Sequence, residues 1–304
     1  MARILIGISS WADRTLLESG FYPEAVKSPA GRLRYYSEHF PVAEIDSSYH
    51  YLPTRSNLEL WLNNVPKGFV FDLKAFSLLT QHPTPFSSLP KTIRDEFGSQ
   101  IKAKGNVYLH HLPLEAVDSL WQGFIRTAET IRQAGKLGTA LFQFPPWFHP
   151  DEKNFEYIAQ VSRILAPYQM AVEFRFNAWL DDRNREKTKQ FLLAHKITLV
   201  CVDEPQGFST SLPPLAEVTA PLGFVRFHGR NRETWEQKGS AADEKFRYLY
   251  EENELKEWLP RVRDMAHKTD ELHIIFKNKY RDYPVKNARE FGRLLGSETG
   301  SLEI

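Results

Sequence analysis

Pairs of charged side chains two residues apart recur inside the apolar runs of this chain: Glu44 and Asp46, Asp72 and Lys74, Glu173 and Arg175, Arg226 and His228. On a β-strand, residues two apart share a face, so each pair would project to one side while Ile45, Phe71, Leu73 and Phe227 take the other. Gln143, Asp203 and Lys277 or Asn278 can each add one polar group from further runs. Five carboxylates (Glu44, Asp46, Asp72, Glu173, Asp203) would then face four cations (Lys74, Arg175, Arg226, Lys277) and His228. Buried ion pairs often lose to hydrophobic replacements of similar volume, so such a network argues for function, with a purely structural salt-bridge layer as the alternative. The chemistry it could perform is acid–base: His228 beside a carboxylate shuttles a proton near neutral pH, and Lys74 or Arg175 holds a developing oxyanion.

The elements that must position these groups are eight apolar runs of strand length: 4–11, 42–49, 69–76, 139–145, 170–176, 197–204, 223–229 and 271–278. Helix-period segments at 32–40, 56–65, 154–166, 187–196, 254–267 and 285–296 separate several of them, which is the pattern of β/α repetition. The expected fold is a single (β/α)8 TIM barrel over residues 1–304, with its working face at the C-terminal strand ends. Pro260 should kink or break its helix. Residues 76–138 form a long insertion after strand 3 that closes on a helix over about 115–134, and the Pro- and Ser-rich stretch 205–222 implies a reduced or missing helix 6.

The loops after strands 7 and 8 of such barrels frequently bind phosphate. Here they carry Arg230, Arg232, Lys277, Asn278, Lys279 and Arg281, with Asn287 near the start of the last helix. Aromatic residues gather at the same ends, and Trp11 and Trp179, each directly after a strand, are the expected ligand contacts. The expected catalytic set is His228, Glu173, Asp46, Asp203 and Lys74. The expected ligand-binding set is Trp11, Arg175, Arg226, Arg230, Trp179, Lys277, Asn278 and Asn287. No metal site is assigned. His82, His110, His111, His228 and the carboxylates could supply ligands for a divalent ion, but no compact ligand motif occurs and the neighbouring Lys and Arg would repel a cation. The cofactor is therefore unknown, with a divalent metal left open.

Composition narrows the partners. Lys plus Arg number 39 against 38 acids, so no global field attracts nucleic acid or membrane, and anion binding must be local. The single Cys201 lies in an apolar run and reads as a buried, inert thiol. There is no signal-type apolar region at the start and no apolar run of the roughly 18 residues a span requires, so the expectation is a soluble, cytoplasmic protein. An enzyme acting on a small anionic, phosphorylated or nucleotide-like ligand is favoured. A metal-dependent phosphoesterase or nuclease-like enzyme and a non-catalytic ligand- or nucleic-acid-binding barrel are the alternatives.

The stretches IGISSW (6–11), FYP (21–23), LRYYSEHFPVAEIDSSYHYLP (33–53), FVFDLKAFSLLTQHP (69–83), ALFQFPPWF (140–148), VEFRFNAW (172–179), VRFHGRN (225–231) and FKNKYRDYPVKNA (276–288) together resemble the YecE-like family, also called domain of unknown function 72, over essentially the whole length. The resemblance implies a TIM barrel of unassigned activity. It also marks departures: the family commonly has Asn at the position of Asp46, paired Asn at Lys277 and Asn278, and His where this chain has Phe176.

Overall fold

The fold was examined in a computed structural model, which describes residues 2–101, 105–237 and 242–299. Eight parallel strands close into a barrel: β1 (Arg3–Ile8), β2 (Val42–Ile45), β3 (Val70–Lys74), β4 (Leu137–Gln143), β5 (Met170–Glu173), β6 (Thr198–Asp203), β7 (Leu222–Phe227) and β8 (Glu271–Phe276). Closure is made by β1, which pairs with β8 from Arg3↔Glu271 to Ile8↔Phe276 and with β2 through Gly7↔Val42 and Ile8↔Ala43. The strands are shorter than their apolar runs because several run ends leave the ladder; Asp46–Tyr49 and Asn177–Trp179, for example, are single 3-10 turns.

Helices α1 (Pro29–Ser37), α2 (Arg55–Asn63), α3 (Leu114–Gln133), α4 (Glu152–Leu165), α5 (Arg185–Ala194), α6 (Leu259–Ala266) and α7 (Tyr283–Thr299) account for the helix-period segments. Their starts follow local chemistry. Ser28 accepts from the Gly31 amide with Pro29 in the first turn, Thr54 and Asn57 form a reciprocal capping box, and Asp151 accepts from the Asn154 amide. The segment around Pro260 is broken as expected: Glu252–Lys256 forms a short helix, and Pro260 falls in the first turn of α6, where its missing N–H leaves no bond unmade.

No helix joins β6 to β7. Residues 204–221 run as an extended strip along the outside of β6 instead. Thr219 Oγ1 accepts from the Leu199 amide at 2.8 Å and donates to the Ile197 carbonyl, and the Glu217 amide donates to Cys201 Sγ at 3.3 Å. These contacts bury Cys201, and burial pushes its thiol up to about 12, which makes it unreactive. The insertion after β3 contains a two-residue ribbon, Thr84–Pro85 with Asn106–Val107, and a short helix, Lys91–Phe97, before α3.

The layer between strands and helices is aromatic. Phe144, Phe148, Trp179 and Phe174 stack in series, with centroids 4.1 Å apart for Phe144–Phe148 and 4.0 Å for Phe174–Trp179. On the opposite side Phe227 stacks on Phe276 at 4.5 Å and meets Trp258 and Phe291. These outward rings fix the inward face, because strand neighbours alternate.

The lower end of the barrel interior holds a charged cluster of its own. His273 Nδ1 lies 2.9 and 3.0 Å from the two Asp72 oxygens, and Nε2 lies 2.8 Å from Glu271 Oε1. Both ring nitrogens face carboxylates, so the ring is an imidazolium. Burial alone would lower its pKa, but Asp72 and Glu271 prevail and raise it to about 9. Gly138 makes room for the pair: a Cβ there would sit 2.5 Å from Asp72 Oδ1 and 2.6 Å from His273 Cε1.

Two predictions follow from this cluster. Gly138→Ala should destabilise the fold by about 1–3 kcal/mol through overpacking, read as a lower urea midpoint at unchanged slope. Because the folded pKa of His273 is raised, its contribution is present below the ordinary histidine range and is lost as pH rises through about 9. The melting temperature should therefore fall more steeply between pH 7 and 10 in the wild type than in His273→Gln; parallel curves would contradict the imidazolium.

Candidate active site

Above this cluster, the barrel axis is occupied by Arg226, which is fully buried. Its Nη2 donates to Glu44 Oε1 at 2.8 Å, and its Nη1 donates to Glu173 Oε2. One guanidinium from β7 thus bridges β2 and β5 across the interior. Burial disfavours every charge in this triad, but with different outcomes. Glu173 is pushed up by burial and pulled well below the usual carboxylate range by Arg226, His228 and Arg175; for Glu44 burial prevails over Arg226, and its pKa is raised.

Arg175, just past β5, donates from Nη1 to Glu204 Oε2 at 2.8 Å and to Glu173 Oε1 at 3.2 Å, and its guanidinium lies 4.7 Å from the Trp235 ring centroid. Glu204 also accepts from the Leu212 amide at 2.7 Å; burial outweighs Arg175 and brings its carboxyl up to about 7. On the other side of the mouth Lys74 donates to Asp46 Oδ1 at 2.7 Å, Lys279 donates to Asp46 Oδ2 at 2.5 Å, and Lys74 sits 4.7 Å over the Tyr49 ring. Burial would raise Asp46, but Lys279, Lys74 and Lys277 together hold it well below the usual range.

Between these two groups lies a row of side chains whose polar atoms are not satisfied. Gly7 pairs with both Val42 and Ile275, and Ile275 pairs with Arg226. Two residues further along the same register stand Glu44 on β2 and, just past the ends of β1, β8 and β7, Ser9, Lys277 and His228. Glu44 Oε2, Ser9 Oγ and both His228 ring nitrogens are buried without a hydrogen-bond partner among the described residues. Glu173 Oε1 approaches His228 Nε2 to 3.2 Å but without hydrogen-bond alignment. Burial, against the pull of Glu173, holds the His228 ring neutral. Lys277 is 5% exposed. Its Nζ reaches Gln143 Oε1 only at 3.4 Å and lies 5.2 Å over the Phe246 ring, with no carboxylate in ion-pair range among the described residues. Orphaned buried polar atoms cost about 1–3 kcal/mol each and are uncommon in folded proteins. Such atoms at the ends of three strands, around a lysine with no carboxylate partner among the described residues, mark a candidate site.

The structure thus brings together Asp46, Lys74, Glu173, Arg175, Arg226, His228 and Lys277 from the residues singled out in the sequence, and separates the others. Asp203 does not face the axis. It pairs with Phe227 in register, on the outward face, where its oxygens accept from Tyr250 Oη at 2.7 Å, Trp258 Nε1 at 2.7 Å and Arg230 at 2.9 and 2.7 Å. Arg230 is consumed there as well, with Glu254 and Glu257 as further partners. Asn278 and Asn287 bond to each other at 2.8 Å and to the backbone of Tyr248 and Tyr250, tying the loop to α7. Trp179 is fully buried in the aromatic stack and donates to the Phe148 carbonyl. Trp11 packs on Trp61 and Phe71, both centroids 5.7 Å away, in the outer layer. The aromatic faces at the mouth are instead Tyr49, Trp235 and Phe246.

Ser9, Glu204 and His273 were missed. His273 was visible as a lone polar residue in the run ELHIIF. Glu204 was masked by its neighbour: VCVDE ends in acids of both parities, and an apolar strand does not reveal which face turns inward. Ser9 gave no signal beyond its place in IGISSW.

The model of the family described as "Protein of unknown function DUF72" matches residues 5–303. The chain belongs to the DUF72 family. It is 29% identical over 304 residues to the UPF0759 protein YunF of Bacillus subtilis (strain 168), covering 98% of this chain and 97% of that protein. Among solved structures it is similar to the DUF72 protein TM1631 of Thermotoga maritima MSB8, with 29% identity, a TM-score of 0.75 and coverage of 96% and 99% of the two chains. It is also similar to EF0366 of Enterococcus faecalis V583, with 23% identity, a TM-score of 0.77 and coverage of 97% and 96%. The eight-stranded barrel expected from the sequence is therefore the fold of DUF72 proteins. Among the described residues no helix is long and apolar enough to cross a membrane, and no group of three or more His, Cys, Asp or Glu could hold a metal ion.

The axial triad gives a stability prediction. Arg226→Met strands Glu44 and Glu173 in the interior and should cost about 3–5 kcal/mol, measured by chemical denaturation. A loss below about 1 kcal/mol would mean that water reaches these carboxylates.

Proposed function

We propose that this DUF72 barrel is an enzyme acting by acid–base chemistry on a small anionic ligand at the C-terminal mouth. The observation that supports it is the set of buried atoms on Glu44, Ser9 and His228 with no partner among the described residues, beside Lys277, which has no carboxylate in range, and among an excess of cations. Lys74, Arg175, Arg226 and Lys279 stand against Asp46 and Glu173, while burial moves Glu44, Glu204 and Lys277 toward their neutral forms. A phosphate or carboxylate would balance the remaining positive charge. His228, held neutral well below the ordinary histidine range, then supplies a base, and Glu204, brought up to about 7, supplies an acid.

The metal-dependent reading required His228, Glu173 and Asp203 to converge free of Lys and Arg. Asp203 is on the other face, and Glu173 is already gripped by Arg175 and Arg226, so no observation favours that reading.

The expected outcome is a rise in melting temperature with glycerol 3-phosphate or inorganic phosphate that persists in chelator and is absent in Lys277→Met. The apo variant should melt no lower than wild type, since an amine without a carboxylate partner contributes little to the fold and binding sites commonly trade stability for function. A shift appearing only with added Mn would overturn the reading in favour of the metal-dependent enzyme.

A further inference from the structure

Lys277 differs from the other lysines at the mouth. Lys74 and Lys279 are both committed to Asp46, at 2.7 and 2.5 Å, whereas among the described residues Lys277 has only the long contact to Gln143 and the face of Phe246. It projects inward from the C-terminal end of β8, in register with Ser9 and, one strand further, with Glu44, and each of these carries a buried oxygen with no partner among the described residues. We propose that Lys277 is an amine nucleophile that forms an imine with a small aldehyde or ketone bearing a phosphate or carboxylate, with Glu44 and Ser9 attending the carbonyl oxygen. The assignment rests on the anion-binding reading above and names the substrate class for that site.

The surroundings suit the chemistry. Burial, with Lys74 and Arg226 adding repulsion, pushes the Lys277 ammonium well below its ordinary value, against the weaker pull of Asp46 and Glu44. A lysine desolvated beside other cations is the usual form of an activated amine. Burial also raises Glu44, which interacts electrostatically with Lys277, so the site holds a carboxyl proton.

In the addition step the Nζ lone pair bonds to the carbonyl carbon, and the C=O π pair moves to oxygen. A proton passes from nitrogen to that oxygen, giving a neutral carbinolamine. The Glu44 carboxyl then protonates the hydroxyl and the C–O bond breaks, releasing water. The nitrogen lone pair closes the C=N bond, leaving a protonated imine and a Glu44 carboxylate. Charge is conserved, and no oxidant or reductant is needed. The cation gained at Lys277 is matched by the anion gained at Glu44, which keeps the buried site balanced. Lys74, Lys279 and Arg175 are left to hold the anionic end of the substrate.

The test is reductive trapping. The full chain is incubated separately with dihydroxyacetone phosphate and with pyruvate, reduced with borohydride, and mapped by peptide mass spectrometry. The expected result is a single adduct on the peptide containing Lys277, formed at pH 7 at least tenfold faster than on surface lysines and absent in Lys277→Arg and Lys277→Met. An adduct spread over surface lysines, or one that survives in either variant, overturns the proposal. Melting with inorganic phosphate, which cannot form an imine, separates the two ideas. Phosphate stabilisation without a Lys277 adduct overturns the imine and leaves the anion site standing. A Lys277 adduct without phosphate stabilisation supports the imine and overturns the anion site, and the absence of both overturns both.

Discussion

The upper interior of this barrel depends on one guanidinium. Arg226 joins Glu44 on β2 to Glu173 on β5, and it does so with no exposure to water. A buried cation of this kind is tolerated only while its partners stay in place, and each partner is tolerated only while the cation does. Three strands that are not neighbours in the barrel are thereby held in one register. Glu173 passes the constraint upward to Arg175, and Arg175 passes it to Glu204 and the Trp235 face. Arg226 uses its two terminal nitrogens, while Glu44 is left with one buried oxygen that has no partner among the described residues. The reactive level is therefore supported from below by a layer that cannot shift without losing ion pairs.

The outward faces of the same strand ends complete this support. Asp203, one residue before inward Glu204, collects Tyr250, Trp258 and Arg230, and Arg230 collects Glu254 and Glu257. Asn278, one residue after Lys277, is tied to Asn287 and the Tyr248 carbonyl. Polar side chains of opposite parity thus have opposite tasks. Of those facing in, Ser9, Glu44 and His228 retain atoms without a partner among the described residues, and of those facing out, Asp203 and Asn278 help fix the loops at these strand ends to the segments behind them. Rigid loops matter because a site whose groups must reorganise on binding loses affinity to that reorganisation.

This parity also explains how much was legible in the sequence. Eight strands, the broken helix at Pro260, the insertion after β3 and the missing helix after β6 all follow from apolar period and proline placement, which are local properties. Glu44, Asp72, Lys74, Glu173, Arg175, Arg226 and His228 were placed correctly inward because each shares its strand with apolar residues of the other parity. Asp203 and Glu204 could not be separated that way, since Val200 and Val202 are as apolar as Leu199 and Cys201. Only the pairing of Asp203 with Phe227, a contact between strands, decides it. The tryptophans failed for a related reason. Trp11 and Trp179 follow strands at the functional end, yet their rings turn back over the outer layer, where large aromatic area is best buried. Direction after the last ladder residue is set by tertiary packing rather than by strand parity.

Charge adds a final constraint on what the mouth can accept. A low-dielectric interior cannot carry several unbalanced ions, so burial shifts the groups that lack strong partners toward neutrality. Here those groups are Glu44, Glu204, His228 and Lys277, whereas Asp46 and Glu173 stay charged beside Lys74, Lys279, Arg175 and Arg226. The result is a division of labour by protonation. The paired ions form a fixed positive frame suited to an anion, and the neutral groups form the set that can exchange protons or donate a lone pair. A ligand whose charge sits at one end and whose reactive carbon sits at the other would meet both parts of this arrangement at once. An uncharged ligand would leave the frame uncompensated, and a polyanion would require the neutral groups to ionise against their burial. Under the proposed function, such a mouth would suit small, singly anchored anions more closely than extended nucleic acid.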